Sequence, residues 1–229
     1  MNTNKLFLFD IDKTLIEGSR SHRIAFSEAF KKVYGADTTI DVINHAGMTD
    51  QQIIIEILKK NGLREEVIKS KLRRCMEVMV ECFEKNIEDG EIIVLDGVQE
   101  LLGELNKHNF LMGLVTGNLE QIARGKLMKV NLNHYFKVGG FGSEDINRTN
   151  LVKLAVKKAK ENFGFEPDDN IFLFGDTPLD INAGKEAGVK TVGVATGIYS
   201  IKQLKNAGAD FVFENLKDTD KVLKIIFQK

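Results

Sequence analysis

The sequence holds no surplus of either charge: 32 Lys and Arg stand against 33 Asp and Glu, a formal net charge of −1. No global field therefore draws the chain to a nucleic-acid backbone or an anionic membrane surface. Long apolar runs are missing too. Leu6-Phe7-Leu8-Phe9 and Ile53-Ile54-Ile55 stop far short of the ~18 residues that a membrane helix needs. The four-residue run before Asp10 is also too short for the apolar part of a secretory signal, so a cytoplasmic location is expected. Proline is scarce, at Pro167 and Pro178 only, and no proline-rich linker, internal repeat or low-complexity segment divides the chain. The two cysteines, Cys75 and Cys82, lie in a strongly helical stretch about 10 Å apart along the axis, beyond the ~7 Å Cα limit for a disulfide. They read as buried, reduced thiols.

What is present is the composition of an ordinary soluble globule, 43% hydrophobic and 28% charged over 229 residues, enough chain for one large domain or a core with an insertion. Strand-length apolar runs at 6–9, 110–115, 171–174, 190–194 and 211–213 alternate with helical patterns at 97–107, 119–130, 150–163, 180–187, 201–207 and 216–227. That alternation predicts an α/β fold, a Rossmann-like parallel sheet covered on both faces.

The first strand lacks an immediate partner. Between Thr14 and about Asp89 only helical spacing is found: Ile24, Ala25, Phe26, Ala29, Phe30 and Val33 up to Gly35; then Ile53, Ile54, Ile57 and Leu58; then Ile68, Leu72, Cys75, Met76, Met79 and Phe83. The basic residues Lys69, Lys71, Arg73 and Arg74 fall on the other side of that third stripe and read as a solvated face. The expected organisation is a core of residues 1–15 and 91–229 interrupted by a helical cap of residues 16–90.

Chemistry is concentrated where strands end. Leu6-Phe7-Leu8-Phe9 runs into Asp10-Ile11-Asp12, and Ile171-Phe172-Leu173-Phe174 runs into Gly175-Asp176-Thr177-Pro178-Leu179-Asp180. Either acid group alone fits a capped turn. Together they aim carboxylates at the sheet edge where open α/β folds bind ligands. Each close pair would repel by about 4 kcal/mol at ~4 Å with an effective dielectric near 20, so an ionised cluster calls for a cation. An all-oxygen set without clustered His or Cys favours Mg²⁺. Thr116-Gly117-Asn118 ends another strand with a hydroxyl and amide N–H groups suited to phosphoryl oxygens, although it also fits a strand-to-helix turn with Asn118 as N-cap. Arg148 opens a helix and offers a fixed cation, or a mere surface charge. Gly139-Gly140-Phe141-Gly142 matches no dinucleotide fingerprint and reads as a tight loop.

The ordered set Asp10-Ile11-Asp12-Lys13-Thr14-Leu15, Thr116, Arg148 and Gly175-Asp176 with Asp180 resembles the haloacid dehalogenase superfamily of phosphohydrolases over essentially the whole chain. The helical insertion resembles the α-helical cap of the branch that holds phosphoglycolate phosphatase and β-phosphoglucomutase. The resemblance implies that Asp10 is the nucleophile and forms an aspartyl-phosphate, and that Asp12 is the general acid and base. It makes Asp10, Asp12 (through its carbonyl oxygen) and Asp176 the Mg²⁺ ligands, with Asp180 acting through water or orienting the site. Thr116, Gly117 and Arg148 would hold the phosphoryl group. Arg148 stands where relatives more often have Lys, with Lys137 and Lys153 as substitutes, and Lys13 stands where many have Gly.

An acid at position 12 favours phosphate-ester chemistry over dehalogenation or phosphonate cleavage, because an alkoxide leaving group needs a proton. A small phosphorylated metabolite is the expected substrate; a sugar-phosphate mutase and a non-catalytic phosphate- or partner-binding module are the alternatives. Within the cap Arg20, His22, His45 and Gly47-Met48-Thr49-Asp50 offer polar groups that could touch the leaving group, with Arg20, His22 and Thr49 the candidate recognition residues. Thr49-x-x-Gln52 also fits a capping box, and His22 a polar helix start. His108 and His134 read as surface or capping residues.

Overall fold

The computed structural model describes residues 2–18, 20–89, 91–166 and 170–227; Pro167 and the Gly90 end of the insertion lie outside them. The chain runs β1 (Asn2–Phe9), β2 (Ile16–Glu17), α1 (Arg20–Ala29), α2 (Asp50–Lys60), α3 (Glu65–Asn86), β3 (Ile93–Val94), α4 (Val98–Lys107), β4 (Phe110–Thr116) and α5 (Glu120–Lys129). It continues through β5 (Val138–Phe141), α6 (Arg148–Phe163), β6 (Ile171–Gly175), α7 (Pro178–Glu186), β7 (Lys190–Val194), α8 (Ile201–Asn206), β8 (Phe211–Phe213) and α9 (Thr219–Phe227). Six strands form one sheet in the order β5-β4-β1-β6-β7-β8, and every neighbouring pair is parallel.

The alternation of β1 explains both faces of this sheet, since successive side chains of a strand point to opposite sides. Phe7 and Phe9 join a cluster with Val98, Leu101 and Leu105 of α4, and each stacks on a ring of β6: Phe7 on Phe172 at 5.4 Å and Phe9 on Phe174 at 4.7 Å between centroids. Leu6 and Leu8 face the other way, into Leu151, Val152 and Ala155 of α6 and Ala183 of α7. The sheet is thus buried on both sides, as its unbroken apolar strands require.

Register decides where the chemistry sits. Phe9 pairs with Leu114 of β4 on one side and Phe174 of β6 on the other. From β1 the chain builds the sheet outward through β4 and β5, then crosses back to β6 and builds in the opposite direction. The reversal leaves a crevice beyond the carboxyl ends of β1 and β6, the usual ligand position of such sheets. Asp10 and Asp176 are the residues that follow those two strands.

Two short elements depart from the sequence reading. Of residues 139–142, expected as a tight loop, the first three belong to the edge strand β5 (Val138–Phe141). Gly139 and Gly140 hide its strand character, yet a Cβ on Gly140 would lie 2.0 Å from the Leu151 carbonyl oxygen, so glycine lets α6 pack directly on the strand backbone. Second, the crossings into and out of the insertion are not bare: β2 and β3 pair antiparallel, Ile16 with Val94 and Glu17 with Ile93. Two-residue strands are too short to show a period.

The insertion itself is helical. Phe26, Phe30, Ile54, Leu58, Met79 and Phe83 share one apolar cluster, and Leu119 and Ile122 enter it from the core side. Cys75 and Cys82 are buried free thiols, with burial pushing Cys75 up to about 12. Lys69, Lys71, Arg73 and Arg74 are exposed. Among the described residues no helix is long and apolar enough to cross a membrane.

Candidate active site

Asp10 leaves β1 with its backbone N–H donating to the Phe174 carbonyl oxygen at 2.9 Å, which fixes the start of the first acidic loop against the end of β6. Its carboxylate is buried and accepts from Arg148 Nη2 at 2.5 Å. The same nitrogen lies 2.6 Å from Asp180 Oδ1, while Nη1 donates to the Gly47 carbonyl oxygen of the cap at 3.1 Å. Arg148 is delivered here because it is the first residue of α6, held in place by the Asn147 cap, whose side chain accepts from Thr149 N at 2.8 Å. Lys137, by contrast, is spent on the His134 carbonyl oxygen, and Lys153 is exposed.

Asp10, Asp176 and Asp180 are all buried, and one carboxylate oxygen from each lies within 4.8 Å of the others. Burial, then the negative charges of Asp180 and Asp10, push Asp176 up to about 9 against the pull of Arg148. Asp10 is raised to about 7, again by burial first, with Arg148 opposing it and Asp180 and Asp12 adding to it. Three buried carboxylates with Arg148 as their one paired cation, hard oxygen donors all, fit Mg²⁺. Asp180 also anchors the helix that follows: its Oδ2 accepts from Thr177 N at 3.0 Å and Thr177 Oγ1 at 2.7 Å, while its own N–H donates to Thr177 Oγ1 at 3.3 Å. This capping box fastens the head of α7 to the site.

Asp12 points away from that cluster. Lys126 Nζ donates to both its oxygens, at 2.8 and 2.7 Å, and Asn118 Nδ2 donates to Oδ2 at 2.8 Å. Lys126 also donates to Asn118 Oδ1 at 2.6 Å and is itself only 1% exposed. Burial is the largest single influence on Asp12 and pushes it up, but Lys126, His22 and the hydrogen bonds from Lys126 and Asn118 outweigh it and hold the carboxyl below its ordinary range. Neither Lys126 nor this use of Asn118 was expected. Asn118 is not the N-cap of α5; Leu119 holds that place without a side-chain cap, and Asn118 bridges Thr116 Oγ1, Asp12 and Lys126 instead. A signal for Lys126 did exist: it falls on the buried stripe Ile122, Ala123, Lys126, Leu127 of an otherwise apolar helix face.

The head of α2 packs on the Thr116-Gly117-Asn118 loop. Asp50 N donates to the Gly117 carbonyl oxygen at 2.8 Å, Asp50 Oδ2 accepts from Leu119 N at 2.8 Å, and Gln51 Nε2 donates to the Gly142 carbonyl oxygen at 2.6 Å. The approach is so close that a Cβ on Gly117 would lie 2.3 Å from the Met48 carbonyl oxygen. Of the candidate recognition groups, His22 is buried on the cavity wall with Nε2 3.2 Å from Asp50 Oδ2. Thr49 is fully buried, caps α2 through both bonds of the box with Gln52, and donates to the Ile146 carbonyl oxygen at 3.2 Å. Arg20 is exposed and does not line the cavity. The cavity measures about 450 Å³ and reaches from Asp10, Asp12, Gly117, Arg148 and Asp176 up into the cap.

The chain is similar to known proteins over nearly its whole length. The chain is 29% identical over 230 residues to the phosphoglycolate phosphatase of Aquifex aeolicus, covering 96% of both chains. It is 24% identical over 225 residues to the pyrophosphatase PpaX of Oceanobacillus iheyensis, covering 93% of this chain and 94% of that one. Among solved structures, a hydrolase from Pseudomonas syringae shares the fold at a TM-score of 0.73 with 24% identity, over 98% of this chain and all of the other. CbbY from Rhodobacter sphaeroides, solved in complex with phosphate, does so at 0.72 with 18% identity, over 94% and 96%. The family pattern of the haloacid dehalogenase-like hydrolases runs across residues 7–194, and the chain belongs to that family.

Proposed function

We propose that the chain is a Mg²⁺-dependent phosphatase that hydrolyses a small phosphorylated metabolite through an aspartyl-phosphate on Asp10. The observation that carries this reading is the buried Asp10 carboxylate fastened by Arg148 at 2.5 Å beside the acid-bearing end of β6. A phosphatase needs a nucleophile there, and a fixed cation to offset charge on the transferring group. The names of the curated relatives, a phosphoglycolate phosphatase and a pyrophosphatase, point the same way.

In this reading an Asp10 oxygen attacks phosphorus as the bond to the leaving oxygen breaks, and that oxygen takes up its proton from the fraction of Asp12 that is protonated against the pull of Lys126. Asp12, now a carboxylate stabilised by Lys126, removes a proton from water as the water oxygen attacks phosphorus and frees Asp10. Arg148, the Thr116 hydroxyl and the Gly117 amide hold the phosphoryl oxygens. Asp10, Asp176 and the Asp12 carbonyl oxygen would hold Mg²⁺, which when bound neutralises charge on the phosphoryl group. Asp180 positions Arg148 and the head of α7.

The test is Mg²⁺-dependent phosphate release from phosphorylated metabolites in water enriched in ¹⁸O, with Asp10→Asn as the control. One solvent oxygen should enter each phosphate released, and Asp10→Asn should fold but not turn over. Conversion of a hexose 1-phosphate to its 6-phosphate with little phosphate released would replace this reading with a mutase.

A further inference from the structure

The cations on the cavity wall are all held in ion pairs. Among the described residues that line it, Lys13, Arg23, Lys126 and Arg148 carry fixed positive charge, and each already faces a carboxylate of this chain. Lys126 is bound to Asp12, and Arg148 to Asp10 and Asp180. Lys13 pairs with Glu17, and Arg23 Nη2 donates to both oxygens of Asp41 at 2.6 and 2.5 Å. Of the two histidines on the wall, His22 is turned to Asp50 and His45 Nδ1 lies 3.4 Å from the Ile43 carbonyl oxygen. The wall also bears five carboxylates, Asp10, Asp12, Glu17, Asp50 and Asp176, against its four cations. One Mg²⁺ and a phosphate dianion cancel each other and leave that balance as it was.

The cap half of the wall is otherwise apolar, made by Phe26, Ile40, Met48 and Ile53, with Ile198 at 67% exposure on the core side. A second anionic group on the leaving side would lose water against these side chains and would have to compete with Glu17 or Asp41 for a cation. A neutral carbon body would bury apolar surface there, and Asn44 and His45 remain to take a hydroxyl.

Resting on the phosphatase reading above, we propose that this chain selects phosphate monoesters whose leaving group is uncharged and partly apolar, and discriminates against leaving groups that carry a carboxylate or a second phosphoryl group. This sets it apart from relatives named for phosphoglycolate and pyrophosphate.

The experiment compares, with Mg²⁺ and the full chain, 2-hydroxyethyl phosphate and phosphoglycolate, which differ by a hydroxymethyl group in place of a carboxylate. Butyl phosphate, pyrophosphate and 4-nitrophenyl phosphate complete the set. The expected kcat/KM for hydroxyethyl phosphate exceeds that for phosphoglycolate by about tenfold or more, and butyl phosphate exceeds both. Equal or better turnover of phosphoglycolate or pyrophosphate overturns the proposal while leaving the phosphatase reading intact. No Mg²⁺-dependent turnover of any ester, the nitrophenyl ester included, overturns both.

A second variant tests the cause. Asp41→Asn lies outside the cavity wall and frees Arg23; since exposed ion pairs are weak, kcat/KM for phosphoglycolate should rise about threefold to fivefold. Hydroxyethyl phosphate should be unaffected. An unchanged ratio between the two substrates counts against the pairing of Arg23 as the basis of selection.

Discussion

Lys126 and Asp12 form a buried-to-surface ion pair: the lysine is 1% exposed, the Asp12 side chain 40%, and Nζ reaches both carboxylate oxygens within 2.8 Å. The pair ties the acid–base candidate to α5, the helix whose Leu119 and Ile122 pack into the cap. A carboxylate held ionised in this way is prepared to accept a proton from water.

Replacing Lys126 by Met removes the charge and keeps the apolar stem. Loss of its main counter-charge raises the Asp12 pKa, and the acidic limb of the water-attack step, which needs the Asp12 carboxylate, moves to higher pH. Turnover near neutral pH should fall by about 10²-fold, the lower edge of what general acid–base groups contribute. The measurement is kcat against pH for both proteins; superimposable profiles would uncouple Lys126 from Asp12.

The carboxylate cluster sets a pH dependence of stability in the metal-free protein. Asp176 at about 9 and Asp10 at about 7 lie above their unfolded value of 3.8, so the folded state binds the extra protons. Their contribution is complete below about pH 4 and is lost as pH rises through about 7 and then about 9. Asp12 works in the opposite sense, but its window lies below 3.8. Melting in EDTA should therefore move to lower temperature between about pH 6 and pH 9. Added Mg²⁺ should raise the melting temperature more at the upper end, where its ligands are already ionised.

Lys13 occupies the turn after the first acid pair with a φ of 65°, in the left-handed region. A side chain with a Cβ costs roughly 1–2 kcal/mol there relative to glycine, part of which glycine returns through its freer unfolded chain. Lys13→Gly should stabilise the protein by up to about 1 kcal/mol in urea unfolding, since the exposed pair with Glu17 is worth little. Lys13→Val, β-branched and unable to adopt this region cheaply, should destabilise it.

Gly117→Ala tests cap docking. Its methyl group would press on the Met48 carbonyl, backbone that cannot swing aside as a side chain would, so the cap segment must lift. The fold should survive, KM should rise and kcat should fall by about tenfold or more, because the 46–50 segment walls the cavity. Hydrogen exchange at the Leu119 amide, which is bonded to Asp50 across the gap, should quicken in the variant.

The sheet was legible because its strands are apolar on both faces, and the acids at 10, 12, 176 and 180 stood out because each group follows such a run. β5 was not, since the two glycines that admit α6 also erase the strand pattern. Asp50 stood among the polar groups of the cap, but its partner was hidden for a different reason: it meets Leu119 from 69 residues away, and no local spacing encodes that contact. Thr49 and Arg20 show the converse. Polar residues at a helix start advertise recognition and capping alike, and geometry alone puts Thr49 in the capping box and Arg20 in solvent.

Leu119 and Ile122 belong by sequence to the sheet-bearing half of the molecule and by packing to the helical half. A graft that moved the insertion alone onto another scaffold would carry an apolar cluster with two of its side chains left behind. A Cβ on Gly125 would lie 2.7 Å from the Phe83 ring, so the new host would also need a glycine facing that ring. The unit that can be exchanged between relatives is thus the insertion together with one face of α5, and a change of substrate range by recombination has to exchange two stretches of the chain rather than one.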